Sequence, residues 1–590
     1  MRCWGAMLIL VGCDGSGRLP LDTETGTPTP PSAPTTQDTT DTSVDPHSET
    51  GTPDTDTDTD TDTDTSPPDP PDPIHVILEP PPGTFIGSVT VDVSASIPGA
   101  TVYLAVDDNE LGALQPHSGP ITLDRSAVLY TYVAHDDYIG QIGTAAYIEI
   151  DPALEDFTSD LPLLVLYSER QAPTSNTGVR TPFVAAMFEP GKSRTSLHGP
   201  ATWTSRAGLR VRGSSSSGHP KRPYSLELWQ ALEDDDRDVE VLGMPADGDW
   251  VMYAPIEFDR AFIRNALAYE LSNNVGQYAP RTAFTEVFVA GDGATVRNDH
   301  YVGVYNLIEE IERHPDRLDL ADLDPEHDAE PEISGGYIFK RDRLGSGEGG
   351  FYAGTAGGAF SFAQALAYVY PKEENITSTQ AAWLNGYIDD FAWALAAPDY
   401  RHPVTGEHYD TFIDYQSWLD HHVVNVMTKN PDALRLSGYL HKDREGLLVS
   451  GPVWDFDRTM GCSSDSRCDN PTWWDASNQT SDTTYMFEHG WYRGLFDDPV
   501  FRDAYFARWA ELLETELSVA SMHGIIDRMA DELDEAAVRN FDAWPSHPPR
   551  GGSYEAEISI IKDWLGTRHG WITQCLDNPA YPDKRYCPGN

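Results

Sequence analysis

The sequence predicts an α+β chain of two lobes, preceded by a small all-β module and an acidic stalk. Three observations carry this. Strand-like runs dominate from Leu161 to Asp342, helical spacing dominates from Ser378 onward, and a Thr, Asp and Pro stretch near the start holds almost nothing that could enter a core. At 590 residues the chain exceeds one core, and length alone suggests roughly two to four domains.

The first element is residues 1–13, where one Arg precedes a short apolar run. Spanning a bilayer takes about 20 apolar residues, so this run reads as an export signal, with a chance apolar stretch as the alternative. Its ending, Leu10, Val11, Gly12 and Cys13, resembles the bacterial lipobox. That resemblance implies an exported lipoprotein held to the membrane, or displayed at the cell surface, by a lipid on Cys13.

Residues 14–73 are the stalk, ending in the repeat DTDTDTDTDTDT. Few residues there can bury apolar area, so disorder is expected, and repulsion between acids plus many prolines makes it an extended spacer. A weak calcium sponge is the other reading. The formal charge of −54, from 94 acids against 40 Lys and Arg, is not the stalk's alone. Phosphate backbones are held by Lys and Arg clusters, so nucleic acid is excluded as a partner.

From 74 to 152 the texture is all-β. Alternation in SVTVDVSAS and ATVYLAV, broken by Pro-Gly and Asp-Asp turns, predicts an immunoglobulin-like sandwich of short strands. The order PPPGTF, PGATVYLAVDD, SGPITL resembles the chitobiase C-terminal-like module, which implies a spacer or carbohydrate-adjacent role without catalysis.

Residues 160–575 form the large α+β region, followed by a tail at 576–590. Strands are expected in LPLLVLYS, PFVAAMFE, AGLRVRGSSSS and PYSLELW, and a helix in RAFIRNALAYELSNNV. Further strands are expected in FTEVFVAG, HYVGVYNLIEEI and GGYIFKRD, then helices in STQAAWLNGYIDDFAWALAA and FIDYQSWLDHHVVNVMT. After the leader, four cysteines remain in two close pairs, Cys462 with Cys468 and Cys575 with Cys587. The spacings are too wide for C-x-x-C chemistry, so two local disulfides are the simplest expectation and four free thiols the alternative.

Four stretches could carry chemistry. In LRVRGSSSSGHPKRPYSLEL, Arg210 and Arg212 share a strand face, Ser214 sits in a small-residue turn, and Lys221 follows. Such a turn can lay backbone N–H groups over phosphates while flanking cations neutralise charge, although basic hairpins are also ordinary surface structure. Glu309 ends an apolar strand and Lys340 lies on another, so the two could form a phosphate-holding Lys–Glu pair or a plain surface ion pair. Asp432 follows Asn430 and Pro431 in a turn, and Asp455 and Asp457 flank Phe456 after the run GLLVSGPVW. Carboxylates at strand ends suit a hard cation such as Mg²⁺. A polar turn is the bland alternative.

In order, RVRGSSSSGHPKRPYSLEL, LGMPADGDWVMYAPIEFDRAFIRNALAYEL, YVGVYNLIEEIE, GGYIFKRD and GPVWDFDRTMG resemble the CotH family of atypical kinases, named for spore-coat protein H. The resemblance implies a divergent, two-lobed protein-kinase-like fold that uses Mg²⁺ and ATP to phosphorylate Ser or Thr of a protein substrate. It makes Asp432 the catalytic-loop acid and Asp455 the metal-binding acid, with Asp457 beside it. It further assigns Arg210, Arg212, Ser214, Lys221, Glu309 and Lys340 to the nucleotide, and makes Arg264 and Asn265 a structural pair. Where the family has a metal-binding Asn, this chain has Ser437. Its hydroxyl can ligate Mg²⁺ but reaches less far than an amide. Two other readings stand beside this one: a binding or coat-assembly protein built on a kinase relic, and a carbohydrate-active enzyme, for which no carboxylate pair can be assigned.

Overall fold

The computed structural model describes residues 74–589, apart from 137, 192–193, 346–347 and 478–482. The leader, Cys13 and the stalk lie outside the described residues.

Two sheets pack at the start of the described chain. One joins strands Val76–Glu79, Val89–Ala95 and Ile121–Leu123; the other is built around Thr101–Val106, Ala127–His135 and Gly143–Glu149. Val91, Leu104, Leu129 and Tyr147 fill the space between them. The second sheet does not end with the module, because Gly199–Pro200 pairs with Gly83–Phe85. A strand borrowed from beyond residue 160 ties the module to the next domain.

The strand-rich lobe is a closed barrel of seven strands. The order is Leu163–Tyr167, Thr181–Phe188, Trp203–Val211, Tyr224–Trp229, Asp249–Tyr253, Tyr301–Glu309 and Thr282–Ala290. A parallel pairing of Leu163 with Glu286 closes the ring. Leu209, Val211, Leu226, Leu228, Trp250 and Met252 alternate into its interior, so no apolar strand edge is left open. Closure depends on a long-range parallel pairing that strand periodicity does not encode.

Beyond the barrel, a five-stranded sheet runs in the order Gly350–Phe351, Ala365–Tyr370, Tyr337–Asp342, Gly438–Lys442, Leu448–Ser450. Seven α-helices are described: α1 (Arg264–Asn274), α2 (Ser378–Ala396), α3 (Tyr415–Thr428), α4 (Trp491–Asp497), α5 (Pro499–Glu514), α6 (Val519–Ala543) and α7 (Tyr554–Asp577). They share one core with the sheet, in which Trp418, Trp509 and Tyr505 are fully enclosed. The mixture is α+β. No helix among the described residues is long and apolar enough to cross a membrane.

Two expectations need correction here. GLLVSGPVW is a strand only over Leu448–Ser450, since Gly451 takes a φ of +128° and Pro452 has no N–H to donate to a ladder. Of the two disulfides, Cys575–Cys587 is formed, whereas Cys462 and Cys468 are thiols with their sulfurs 2.7 Å apart. The Asp465 carbonyl accepts from Cys468 Sγ at 3.2 Å.

Candidate functional site

The end of α3 sets the first acid. The helix begins under Asp414, whose side chain accepts from Ser417 N–H, and it stops at Lys429, which adopts a left-handed φ of +59°. Pro431 then prevents any return to helix. The chain turns instead, with the Asp432 carbonyl accepting from Leu436 N–H at 2.9 Å, and Asp432 is carried at the turn's head, partly exposed. Its carboxylate accepts from Arg435 at 2.9 Å and from Arg467 at 3.5 Å.

The loop after Pro452 sets the second acid. Trp454 stacks on Tyr269 of α1 at 5.9 Å and meets Tyr439 edge-on at 6.2 Å, which fixes the residue before Asp455. Phe456 N–H donates to Asn265 Oδ1 at 2.6 Å. Arg264 is wholly buried, paired to Asp259 at 2.7 Å, and spends its remaining donors on the carbonyls of Thr459, Met460 and Gly461. The Arg264 and Asn265 pair therefore clamps the loop 455–461 onto α1.

One side chain joins the two acids. Asn430 accepts from Asp432 N–H at 3.0 Å through Oδ1 and donates to the Asp455 carbonyl at 3.3 Å through Nδ2. Asp455 is exposed to solvent, on a loop that the rest of the domain surrounds. Loss of bulk water there, then the charge of Asp432, raises its pKa to about 6. Asp457 is pushed well above the usual carboxylate range by burial and by Asp455. Clustered acids held this unfavourably are the arrangement that a divalent cation relieves.

Cations face these acids. Arg212 lies over the Trp454 ring at 5.6 Å, and its buried Nη1 has no hydrogen-bond partner among the described residues. Lys340 sits against Tyr439 at 5.9 Å and within 3.8 Å of Asp342. Arg458 reaches back to Ser215 Oγ at 3.4 Å, bringing the Gly-Ser turn to the acid loop. That turn requires glycine at 213, where φ is +86° and a Cβ would stand 2.1 Å from Ser216 Oγ. Ser214 itself is exposed, and its carbonyl accepts from Ser217 Oγ. An unpartnered guanidinium N–H beside a set of carboxylates fits a phosphate chain together with a hard cation.

Three expected members stand elsewhere. Lys221 is fully buried, with its ammonium held by Asn540 Oδ1 at 2.7 Å and by the carbonyls of Pro255 and Val304, so it pins the barrel to α6. Glu309 is also fully buried, and it pairs with Arg281 at 2.7 Å and Arg317 at 3.6 Å rather than with Lys340. Strand alternation explains this, because Glu309 and Glu310 leave the chain on opposite sides and only Glu310 feels Tyr439 and Arg210. Arg210 lies on the barrel's outer face, between the charges of Arg180 and Glu310. Ser437 is half-buried at a left-handed φ of +51°, at the far end of the Asp432 turn.

Asn430 and Asp342 were not singled out from sequence. Asp342 shares a strand face with Lys340 at i+2, a spacing that GGYIFKRD displays; Asn430 gave only a turn signal. Among the described residues, the carboxylate trio drawn to within 4.8 Å is Glu227, Asp236 and Asp249 on the barrel, where Arg180 already supplies the positive charge.

A family model described as CotH kinase protein matches residues 209–572, more than half of the chain. No curated protein matches it. The chain belongs to the CotH kinase family.

Proposed function

We propose that this chain transfers the γ-phosphoryl group of ATP to a Ser or Thr hydroxyl of a protein substrate, with Mg²⁺ at Asp455 and Asp457. The observation that supports it best is Asn430 bridging Asp432 and Asp455 beside the unpartnered Nη1 of Arg212. In this reading Asp432 orients the acceptor hydroxyl and takes its proton as the new O–P bond forms and the β–γ bridge breaks to release ADP. Arg212 and Lys340 hold phosphate oxygens, and Asp455 and Asp457 hold the metal, with Ser437 at its edge or reaching it through water. The bound metal would supply charge neutralisation at the phosphates.

A second reading, nucleotide binding without transfer, is favoured by one feature. Arg435 and Arg467 both donate to Oδ1 of Asp432, which leaves Oδ2 alone to receive a proton. Export, a lipid on Cys13 and a carbohydrate-adjacent role for the β-module are parts of the same proposal, and the stalk's composition suits a domain displayed at a distance from a membrane.

Label transfer from γ-labelled ATP to the protein itself or to a Ser-rich polypeptide tests this. Transfer is expected with Mg²⁺, and to be lost with chelator and in Asp432→Asn. Absence of any ATP binding would overturn both readings; binding without transfer would select the second.

A further inference from the structure

On the strand Tyr337–Asp342, Lys340 and Asp342 face the acid cleft, so Arg341 points to the other side of the sheet. There it enters a cavity of about 40 Å³. The guanidinium is held between Phe362, 3.5 Å from the ring centroid, and Trp491, at 5.0 Å. Its Nη1 donates to the Gln364 carbonyl at 2.9 Å, while its Nη2 is buried and has no partner among the described residues. Arg341 as a whole is 4% exposed.

A second orphan lines the same space. His489 Nε2 is buried without a hydrogen-bond partner. Beyond these, Ser450 Oγ stands 3.1 Å from His421 Nδ1 and 3.3 Å from the Tyr492 hydroxyl, already satisfied. No carboxylate is among the groups that bear on the Arg341 charge, and burial lowers its pKa to about 9. A buried cation with a free donor and no counter-ion is an unfavourable arrangement for the protein alone.

The geometry points to this cavity as a binding site for a small carboxylate, anchored by Arg341 Nη2 with its short apolar part against Phe362 and Trp491. The guanidinium edge matches a carboxylate, and the aromatic walls exclude water from the pair. The volume is enough for a few water-sized groups, which suits formate or acetate and excludes an aromatic acid. Leu434 also lines the cavity, two residues after Asp432, so an occupant braces the turn that carries the acid.

Calorimetric titration of the full chain with sodium acetate, at constant ionic strength made up with sodium chloride and without nucleotide, tests the site. One saturable site per chain is expected for acetate and formate and none for benzoate, with affinity at least tenfold weaker in Arg341→Met and Arg341→Gln. Circular dichroism checks each fold, and if Arg341→Met does not fold, Arg341→Gln carries the test. No saturable heat, an isotherm unchanged in both variants, or binding of inorganic phosphate instead of acetate would overturn the assignment.

Discussion

Asn265, in the first turn of α1, accepts a hydrogen bond at 2.6 Å from the backbone N–H of Phe456, 191 residues further along the chain. Asp455 and Asp457 flank that N–H, so the reach of one amide side chain fixes where both carboxylates point.

Replacing Asn265 with Ala should therefore damage the cleft as well as the fold. It leaves a buried N–H unsatisfied, which costs about 1–3 kcal/mol. Urea unfolding should show that loss, and Mg²⁺ titration of the surviving folded protein should show weaker binding. Unchanged Mg²⁺ affinity in a destabilised but folded variant would separate the loop clamp from the metal site.

Lys221→Met distinguishes a structural pin from a phosphate ligand. Without the ammonium, two carbonyls lose its N–H donors inside the protein and Asn540 Oδ1 keeps only the Val304 N–H, so stability should fall by about 1–3 kcal/mol. Nucleotide affinity should stay at its original value. A fall in affinity at unchanged melting temperature would return Lys221 to the phosphates.

The contrast between those two residues shows what the sequence made legible. Asp432 and Lys340 sit in the turn and on the strand that local signals predict, whereas Asp455 lies five residues past its strand, in the loop after Pro452. Lys221 and Glu309 looked equally suited to phosphates, being charged residues at strand ends, yet burial consumed them. That outcome depends on α6 and on Arg281 and Arg317 arriving from elsewhere in the chain. Barrel closure through Leu163 and Glu286 was hidden for the same reason. Asn430 gives only a turn signal, and its bridge to Asp455 exists only once α3 and the loop after Pro452 are packed together.

The pH dependence follows from Asp455. In the unfolded chain its carboxyl titrates near the ordinary value of about 3.9, and in the folded protein at about 6. Between those values the folded state binds more protons, so this group's contribution to stability falls as pH rises through that window. Asp455→Asn should reduce that slope, Asp457 contributing what remains, and thermal melts of the metal-free variant should gain on the parent between pH 4 and pH 7. Mg²⁺ competes with the same proton. Affinity should therefore weaken below about pH 6 in the parent, and a pH-independent affinity would remove Asp455 from the metal site.

Ser437 tests the proposed metal site. Its backbone sits at φ +51°, a left-handed conformation that Asn adopts more readily than Ser, so Ser437→Asn should be accepted without a stability loss. The longer amide oxygen reaches further into the cleft than the hydroxyl, and Mg²⁺ tolerates little departure from about 2.0–2.1 Å. Ser437→Asn should thus tighten Mg²⁺ binding on the order of tenfold and raise the rate of label transfer from ATP. If binding tightens while transfer stays absent, the chain binds nucleotide and metal without transferring the phosphoryl group. Should Ser437→Asn change neither, the turn that ends at Ser437 does not reach the metal.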